Sequence, residues 1–204
     1  MPRPLSDCQE LIVATSNLHK VRELSSLLIP LRIPVLALPS EISFTPIVED
    51  GTTLAENARK KAIGYASQLQ RWVLADDTGL EVAALGGAPG VHSARYAGEN
   101  ATAEMNLAHL IQQMQDLSDE QRTARFVCHL CLVDPEGNVA LETQGICPGR
   151  ILFEPIGHAG FGYDSLFQVA GMKQSLAQLS EDQTAVVGHR GHAARALLDV
   201  WHQA

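Results

Sequence analysis

Two adjacent carboxylates, Asp76 and Asp77, directly follow the apolar run Trp72-Val-Leu-Ala75, and Glu49 adds a third upstream. Neighbouring carboxylates repel each other, and a hard cation such as Mg²⁺ relieves that repulsion because it takes oxygen ligands and bridges substrate phosphates. The two aspartates are expected to project in different directions, so that one can ligate metal while the other acts on a water. The dipeptide alone is equally compatible with carboxylates that only cap a turn.

A second polar cluster, Thr15-Ser-Asn-Leu-His-Lys20, separates an apolar run from a segment with helical spacing. Backbone N–H groups at a helix N-terminus attract anions, and Lys20 adds a positive charge in the first turn. A lysine at that end of a helix opposes the helix dipole unless an anion lies nearby. Taken alone, Lys20 is more simply interpreted as a solvated surface lysine.

A third set combines Gly160-Phe-Gly-Tyr-Asp164 with His189 and Arg190. Glycines on both sides of Phe161 allow its ring to stand clear of the backbone, as a stacking platform for a base requires. His189 and Arg190 offer several donors for an oxygen on a base edge or for phosphate. Each feature is weak by itself, since a glycine-bounded aromatic residue usually belongs to an ordinary loop.

The composition of the 204-residue chain is that of a globular protein, with 46% hydrophobic and 19% charged residues. A formal net charge of −8 argues against a nucleic-acid surface, which needs a basic face, but not against a small anionic substrate. The apolar run over residues 11–14 is too short for a signal peptide or a membrane span. We therefore expect a cytoplasmic protein that binds neither nucleic acid nor membranes.

Cys128 and Cys131 have the C-x-x-C spacing of some metal and redox sites. They lie within residues 125–133, whose apolar character indicates a buried strand, and positions three apart in a strand point to opposite faces. No second cysteine pair completes a zinc site. We expect both thiols to pack in the core.

The apolar patterns predict strands that alternate with helices and then a hairpin. Predicted strands or extended segments cover residues 10–15, 35–38, 72–75, 80–85, 125–134 and 138–147; predicted helices begin near residue 18 and cover about 53–70, 102–115 and 192–201. The strand before Asp76 is expected to end there. This order predicts an α/β fold with a mixed sheet, in one domain of two lobes over residues 1–204.

Taken together and in this order, the motifs resemble the inosine triphosphate pyrophosphatase family, the Ham1-like pyrophosphatases of noncanonical purine nucleotides. The resemblance extends over nearly the whole chain. The matching stretches are Ala14-Thr-Ser-Asn-Leu-His-Lys-Val-Arg-Glu23, Glu56-Asn-Ala58, Lys61-Ala62, Asp76-Asp-Thr-Gly-Leu80, Leu85-Gly-Gly-Ala-Pro-Gly90, Ser93-Ala-Arg-Tyr96, Gly160-Phe-Gly-Tyr-Asp164 and His189-Arg190.

The resemblance implies an elongated mixed β-sheet flanked by helices, with a central cleft between two lobes, usually in a homodimer. It implies a pyrophosphatase of ITP, dITP and XTP, in which Glu49, Asp76 and Asp77 hold Mg²⁺ and Asp77 is the catalytic base. The implied contacts to the triphosphate are Thr15, Ser16, Asn17, Leu18, His19, Lys20, Lys61 and Arg95; those to the base are Phe161, Asp164, His189 and Arg190; and Thr78, Gly162 and Tyr163 also bind the substrate.

Four positions depart from the family pattern. Ser16 replaces a glycine and Thr78 a serine, and both residues are small and polar. Gly188 replaces a serine. Thr184 stands where a lysine commonly contacts the substrate, a role for which Lys173 is a candidate.

Two other functions stay open on the residues alone. One is a phosphatase that releases single phosphates from nucleotides. The other is a nucleotide-binding regulator without catalysis, for which Thr184 argues and against which the intact Asp76–Asp77 pair argues.

Overall fold

The computed structural model describes residues 1–40 and 42–203. The strands are β1 Leu11–Val13, β2 Val35–Ala37, β3 Val73–Val82, β4 Thr123–Val133, β5 Val139–Ile151 and β6 Phe167–Val169. The α-helices are α1 Leu18–Leu27, α2 Leu54–Leu69, α3 Ala103–Gln113, α4 Glu181–Val187 and α5 His189–Trp201. In this described part of the chain, no helix has both the length and the apolar character needed to cross a membrane.

The six strands form one sheet in the order β2-β1-β3-β4-β5-β6. β1 runs parallel to both β2 and β3, with Ile12 opposite Leu36 on one side and Val73 on the other. β5 and β6 are antiparallel. Parallel and antiparallel pairs in one sheet, together with the helices, confirm the predicted mixed α/β fold.

The chain divides into two compact units. The first unit contains Met1–Asp77, Cys128–Gly145 and Ala193–Ala204, and the second contains Thr78–Val127 and Ile146–His192. The single two-lobed domain over residues 1–204, with its central cleft, stays a prediction. Two residues in that span, Glu41 and Ala204, lie outside the described residues.

In the first unit, strand alternation sends side chains into two opposite apolar layers. Leu74 of β3 packs in the layer that contains Leu24 of α1 and Leu197 of α5. Its neighbours Val73 and Ala75 pack in the layer on the other face, to which α2 contributes Ala58, Ala62 and Ala66. The spacing of four residues places these alanines on one side of α2, and their small size allows the helix to approach the sheet closely.

Cys128 and Cys131 are buried in different layers, Cys128 with α1 and Cys131 with α2. The two thiols therefore point to opposite faces of β4, as predicted. Burial raises the pKa of Cys131 to about 12, so its sulfur stays protonated. Both positions support core packing.

One strand prediction is wrong. β3 does not end before Asp76 but continues to Val82, so both aspartates lie inside the strand, and the chain turns only at the 3-10 helix Ala83–Leu85. Residues 80–85 are therefore extended only as far as Val82. Carboxylates are tolerated inside a buried strand when a cation compensates each charge, and the cations come from helices distant in sequence.

Other differences concern short elements and helix ends. β5 continues past Cys147 to Ile151, and α5 begins at His189 rather than at residue 192. The three residues of β6 and the seven of α4 were not predicted, because neither is long enough to show a period. In α3, Met105 is 51% exposed, whereas Asn106 is buried.

Candidate active site

The turn from β1 into α1 is fixed by side chains of the predicted phosphate-binding segment. Asn17 is the N-cap, and its Oδ1 accepts hydrogen bonds from the backbone N–H groups of His19 at 2.9 Å and Lys20 at 3.4 Å. Thr15 Oγ1 accepts from the N–H of Asn17 at 3.1 Å. These bonds confirm the predicted helix start. The exposed residues in this turn are Ser16, Leu18 and His19.

Asp76 and Asp77 lie on opposite faces of β3, and each meets a lysine from the helix on its own face. Lys20 of α1 forms an ion pair with Asp76. Lys61 of α2 lies 3.4 Å from Asp77 Oδ1 and donates to the backbone oxygen of Asp76 at 3.1 Å. The side chain of Lys20 is only 15% exposed, so the interpretation as a solvated surface lysine is wrong.

Asp76 is buried, and both of its oxygens have donors. Lys20 donates to Oδ1, and the thiol of Cys128 on β4 donates to Oδ2 at 3.4 Å. The contact to Cys128 was not predicted, because the register between β3 and β4 is set by tertiary packing rather than by a local pattern.

The ammonium of Lys61 contacts a second carboxylate, with Nζ 2.9 Å from Glu49 Oε2. Desolvation acts to lower the pKa of Lys61, but the charges of Asp77 and Glu49 outweigh it and the pKa lies above its ordinary value. Burial raises the pKa of Asp77 to about 6, against the opposing charges of Lys61 and Lys20. Asp77 can therefore exchange a proton near neutral pH.

The loop that carries Glu49 is held by the start of α2. Asn57 Oδ1 accepts from the N–H of Gly51 at 2.8 Å. The carboxylate of Glu56 accepts from the N–H of Thr52 at 2.7 Å, while Thr53 Oγ1 accepts from the N–H of Glu56 at 3.1 Å. Thr53 is the N-cap of α2, and the side chain of Glu56 reaches one residue beyond it.

Glu49, Asp76 and Asp77 provide the oxygen ligands that Mg²⁺ prefers. Glu49 and Asp77 are neighbours through their common contact with Lys61, whereas Asp76 is bound to Lys20. Within residues 1–40 and 42–203, no group of three His, Cys, Asp or Glu side chains converges as a metal site. The donor chemistry fits a divalent cation, and the structure brings together two of the three predicted ligands.

In the second unit, two glycines with positive φ shape the loop around Phe161. Gly160 has a φ of +74° and Gly162 of +61°, and a Cβ on Gly160 would collide with Asp164 Oδ2. That oxygen accepts from the N–H of Phe161 at 2.9 Å. Phe161 is 39% exposed, and an exposed aromatic side chain is suited to stacking on a base.

Tyr163 does not present its side chain to solvent. Its ring is buried among the apolar residues of the second unit, and its hydroxyl donates to the backbone oxygen of Ser93 at 2.9 Å. Ser93 Oγ in turn donates to the backbone oxygen of Gly90 at 2.6 Å and accepts from the N–H of Leu80 at 2.9 Å. These bonds tie the loop around Phe161 to the segment that carries Arg95.

Arg95 ends the 3-10 helix Gly90–Arg95, with Nε 3.6 Å from Glu99 Oε1. The buried amide of Asn106 on α3 donates to the oxygen of Ala94 at 2.9 Å and accepts from the N–H of Ala97 at 2.8 Å. Asn106 was not predicted as a site residue. Its position four residues before Leu110, on the buried side of the helix, is the signal that indicates it.

His189 and Arg190 occupy the first turn of α5 and are both buried. The ring of His189 stacks on Phe126, with centroids 4.8 Å apart and planes inclined by 20°. Arg190 Nη2 donates to Thr78 Oγ1 at 3.2 Å, so the hydroxyl retained at position 78 has a partner. Both residues that are predicted to contact the base are therefore held in buried surroundings.

The departure at Thr184 lies in α4. The backbone oxygen of Thr184 accepts from the N–H of Gly188 at 2.7 Å, and a Cβ at position 188 would lie 2.6 Å from that oxygen. Glycine in place of the family's serine therefore suits this close approach. Lys173 is exposed, between β6 and α4.

Comparisons with known proteins agree over most of the chain. A sequence model of the Ham1 family matches residues 11–200. A dITP/XTP pyrophosphatase of Rhodopirellula baltica is 44% identical over 93% of this chain and 91% of its own length, and that of Escherichia coli is 42% identical over 94% and 97%. A HAM1 protein from Coxiella burnetii has a TM-score of 0.86 at 37% identity, covering 96% of this chain and 99% of its own. A nucleoside-triphosphatase / dITP/XTP pyrophosphatase from Mycobacterium abscessus has a TM-score of 0.74 at 35% identity, covering 92% and 97%. The chain belongs to the Ham1 family.

Proposed function

We propose that this chain is a nucleoside-triphosphate pyrophosphatase that converts ITP, dITP and XTP to the monophosphate and pyrophosphate, and so removes noncanonical purine nucleotides from the nucleotide pool. Relatives that match more than nine-tenths of the chain are called dITP/XTP pyrophosphatases. The observation that carries the proposal is Asp77, a nearly buried carboxylate with a pKa raised to about 6 beside the ammonium of Lys61. A base of that strength next to a cation suits attack of water on a phosphate anhydride.

In the proposed reaction, Asp77 accepts a proton from the water that attacks the α-phosphorus, and the α–β anhydride bond breaks. Lys20 and Lys61, with Arg95, stabilise the charge that develops on the departing pyrophosphate. Both lysines pair with carboxylates in the structure, so an incoming triphosphate competes for them.

We propose that Glu49, Asp76 and Asp77 hold Mg²⁺, which would neutralise phosphate oxygens and stabilise the leaving group. The support is the chemistry of the three carboxylates, two of which, Glu49 and Asp77, already contact the same ammonium group, that of Lys61. A homodimer belongs to the same proposal and rests on the family resemblance, and a location in the cytoplasm is proposed with it.

Recognition of the base is assigned to the second unit. The ring of Phe161 stacks on the purine, and Asp164, His189 and Arg190 meet its edge. Donors from His189 and Arg190 suit the 6-oxygen of hypoxanthine or xanthine, whereas the 6-amino group of adenine offers them no acceptor. A mismatch of this kind in a dry site supports discrimination of about 10⁴-fold. Guanine also has a 6-oxygen, so rejection of GTP requires a different contact.

One experiment tests the function and both alternatives. The purified chain is incubated with Mg²⁺ and ITP, XTP, dITP, ATP or GTP, and pyrophosphate and orthophosphate are measured separately. The proposal expects pyrophosphate from the first three nucleotides and little product from ATP or GTP. Orthophosphate as the main product would instead identify a phosphatase, and tight binding of ITP without turnover would identify a regulator.

A further inference from the structure

The backbone around Arg95 is held by two buried polar side chains from other elements. Asn106 of α3 bonds to Ala94 on one side of the arginine, at 2.9 Å, and to Ala97 on the other, at 2.8 Å. The side chain thereby satisfies a carbonyl and an N–H within two residues of Arg95. Leu110 and Met114 of the same helix segment are buried in the apolar cluster of the second unit. If position 106 served packing alone, an apolar side chain would suit it equally well, so the buried amide indicates a role for its hydrogen bonds.

The second contact comes from the loop that presents Phe161. Tyr163 lies two residues after Phe161, and its hydroxyl donates to Ser93, two residues before Arg95, at 2.9 Å. The proposed base platform and the proposed phosphate-binding arginine are thus joined by one hydrogen bond through a buried ring. A substrate held by both would find them at a fixed separation, and such fixed placement of donors lowers the cost of reaching the transition state.

We infer that Asn106 and Tyr163 are positioning residues that act through Arg95, holding its guanidinium where the leaving pyrophosphate develops charge and linking that position to the base platform. The inference rests on the proposed function, in which Arg95 stabilises the pyrophosphate. It gives the side chain of Tyr163 an indirect role, because the ring is buried and its hydroxyl is bound to Ser93 rather than presented to a substrate.

A double-mutant cycle on kcat for ITP tests the inference. Tyr163→Phe keeps the buried ring and removes the hydroxyl, and should lower kcat about 5–10-fold with little change in KM, the effect of one lost hydrogen bond. Arg95→Ala should lower kcat about 10²-fold. In the Arg95→Ala background, Tyr163→Phe and Asn106→Ala should each change kcat less than about 2-fold, since there is no guanidinium left to position.

Matched controls separate positioning from stability. Tyr65→Phe removes a phenol hydroxyl from α2, where the ring packs edge-on against Phe44, and should leave kcat unchanged. Asn138→Ala removes the amide that bonds to Asp134 in the β4–β5 connection, and should lower the melting temperature but not kcat. Should Asn106→Ala fail to fold, the cycle that combines Tyr163→Phe with Arg95→Ala tests the inference by itself.

Three results would overturn the inference. The first is a kcat for Tyr163→Phe equal to that of the unmutated chain. The second is a loss of kcat in Tyr163→Phe that is equally large in the Arg95→Ala background. The third is an active enzyme in which Arg95→Ala leaves kcat unchanged. The third result leaves ITP hydrolysis standing and removes only the role of Arg95. Absence of pyrophosphate release by the unmutated chain would instead reject the proposed function.

Discussion

Replacing Asp77 by asparagine should stabilise the folded chain at neutral pH while it removes activity. The carboxylate is nearly buried, and burial raises its pKa from 3.8 to about 6 despite the ammonium groups of Lys61 and Lys20. At neutral pH the fold must therefore keep a charge that burial disfavours. Asparagine has the same shape and no charge, and Lys61 retains Glu49 as a partner.

The sign and size of the effect follow from the pKa. The folded-state value of Asp77, about 6, lies above the value of 3.8 expected in the unfolded chain. The stability that the protonated carboxyl contributes is fully present below pH 3.8 and is lost as the pH rises through about 6. At roughly 1.4 kcal/mol per pKa unit, the cost above pH 6 is on the order of 2–3 kcal/mol.

The assay is urea denaturation of the unmutated chain and Asp77→Asn from pH 4 to pH 8, with chelator present so that no cation binds the carboxylates. The free-energy difference in favour of Asp77→Asn should grow as the pH rises from 4 to 7. In parallel, kcat for ITP with Mg²⁺ should fall about 10²-fold or more, because the base is gone.

Asp134 provides the matched control with the opposite sign. It is buried like Asp77, but its pKa is lowered: desolvation acts to raise it, and the N–H groups of Asn138, Arg3 and Glu136 outweigh that effect. Its stabilisation is present above the unfolded pKa and is lost as the pH falls through the folded one. Asp134→Asn should therefore destabilise the chain at pH 7, by about 1–3 kcal/mol, and leave kcat unchanged.

Two outcomes for Asp77→Asn would contradict the prediction. If Asp77→Asn were less stable than the unmutated chain at pH 7, the carboxylate would be a structural ion-pair partner and burial would not govern its pKa. If Asp77→Asn were more stable but turned ITP over within a few-fold of the unmutated chain, its assignment as the base would be wrong.

Four further results are expected. Excess chelator should abolish ITP hydrolysis and added Mg²⁺ restore it, whereas full turnover in chelator would contradict the role given to the carboxylates. His189→Ala should lower kcat/KM for ITP and XTP by about 1–3 kcal/mol but change ATP turnover much less; equal losses on all three would place His189 at the phosphates. Thr184→Lys should lower KM for ITP, and the decrease should be smaller at high salt. If Lys173 already supplies that charge, Lys173→Ala should raise KM and Thr184→Lys should leave it unchanged. Gly160→Ala should weaken ITP binding, measured by titration with a nonhydrolysable analogue, because a Cβ there collides with Asp164; unchanged affinity would show that the loop is not part of the base site.

Helix starts were predictable because the capping residues act locally. Asn17, Thr53 and Thr102 each accept a hydrogen bond from a backbone N–H of the turn that follows, and each precedes an apolar period. The opposite directions of Asp76 and Asp77 were likewise predictable from strand alternation.

Long-range partners were not predictable. β3 continues through Asp76 and Asp77 because Lys20 and Lys61 approach from helices on opposite faces, and nothing in the run from Val73 to Ala75 indicates either lysine. The predicted strand therefore ended where the apolar run ends, whereas tertiary contacts extend β3 beyond that point in the structure.

The site residues divide in the same way. Motifs predicted the polar residues that are assigned to the substrate, but not the buried ones that hold them. Asn106 and Cys128 lie in segments whose pattern indicates core, and their hydrogen bonds to the Arg95 segment and to Asp76 depend on packing between elements.

The central claim, that a water activated by Asp77 attacks the α-phosphorus, is tested most directly by hydrolysis of ITP in water enriched in ¹⁸O. Mass spectrometry of the two products then locates the label. Attack at the α-phosphorus places one ¹⁸O in the inosine monophosphate and none in the pyrophosphate. Label in the pyrophosphate, with unlabelled monophosphate, would place the attack on the β-phosphorus and contradict the account.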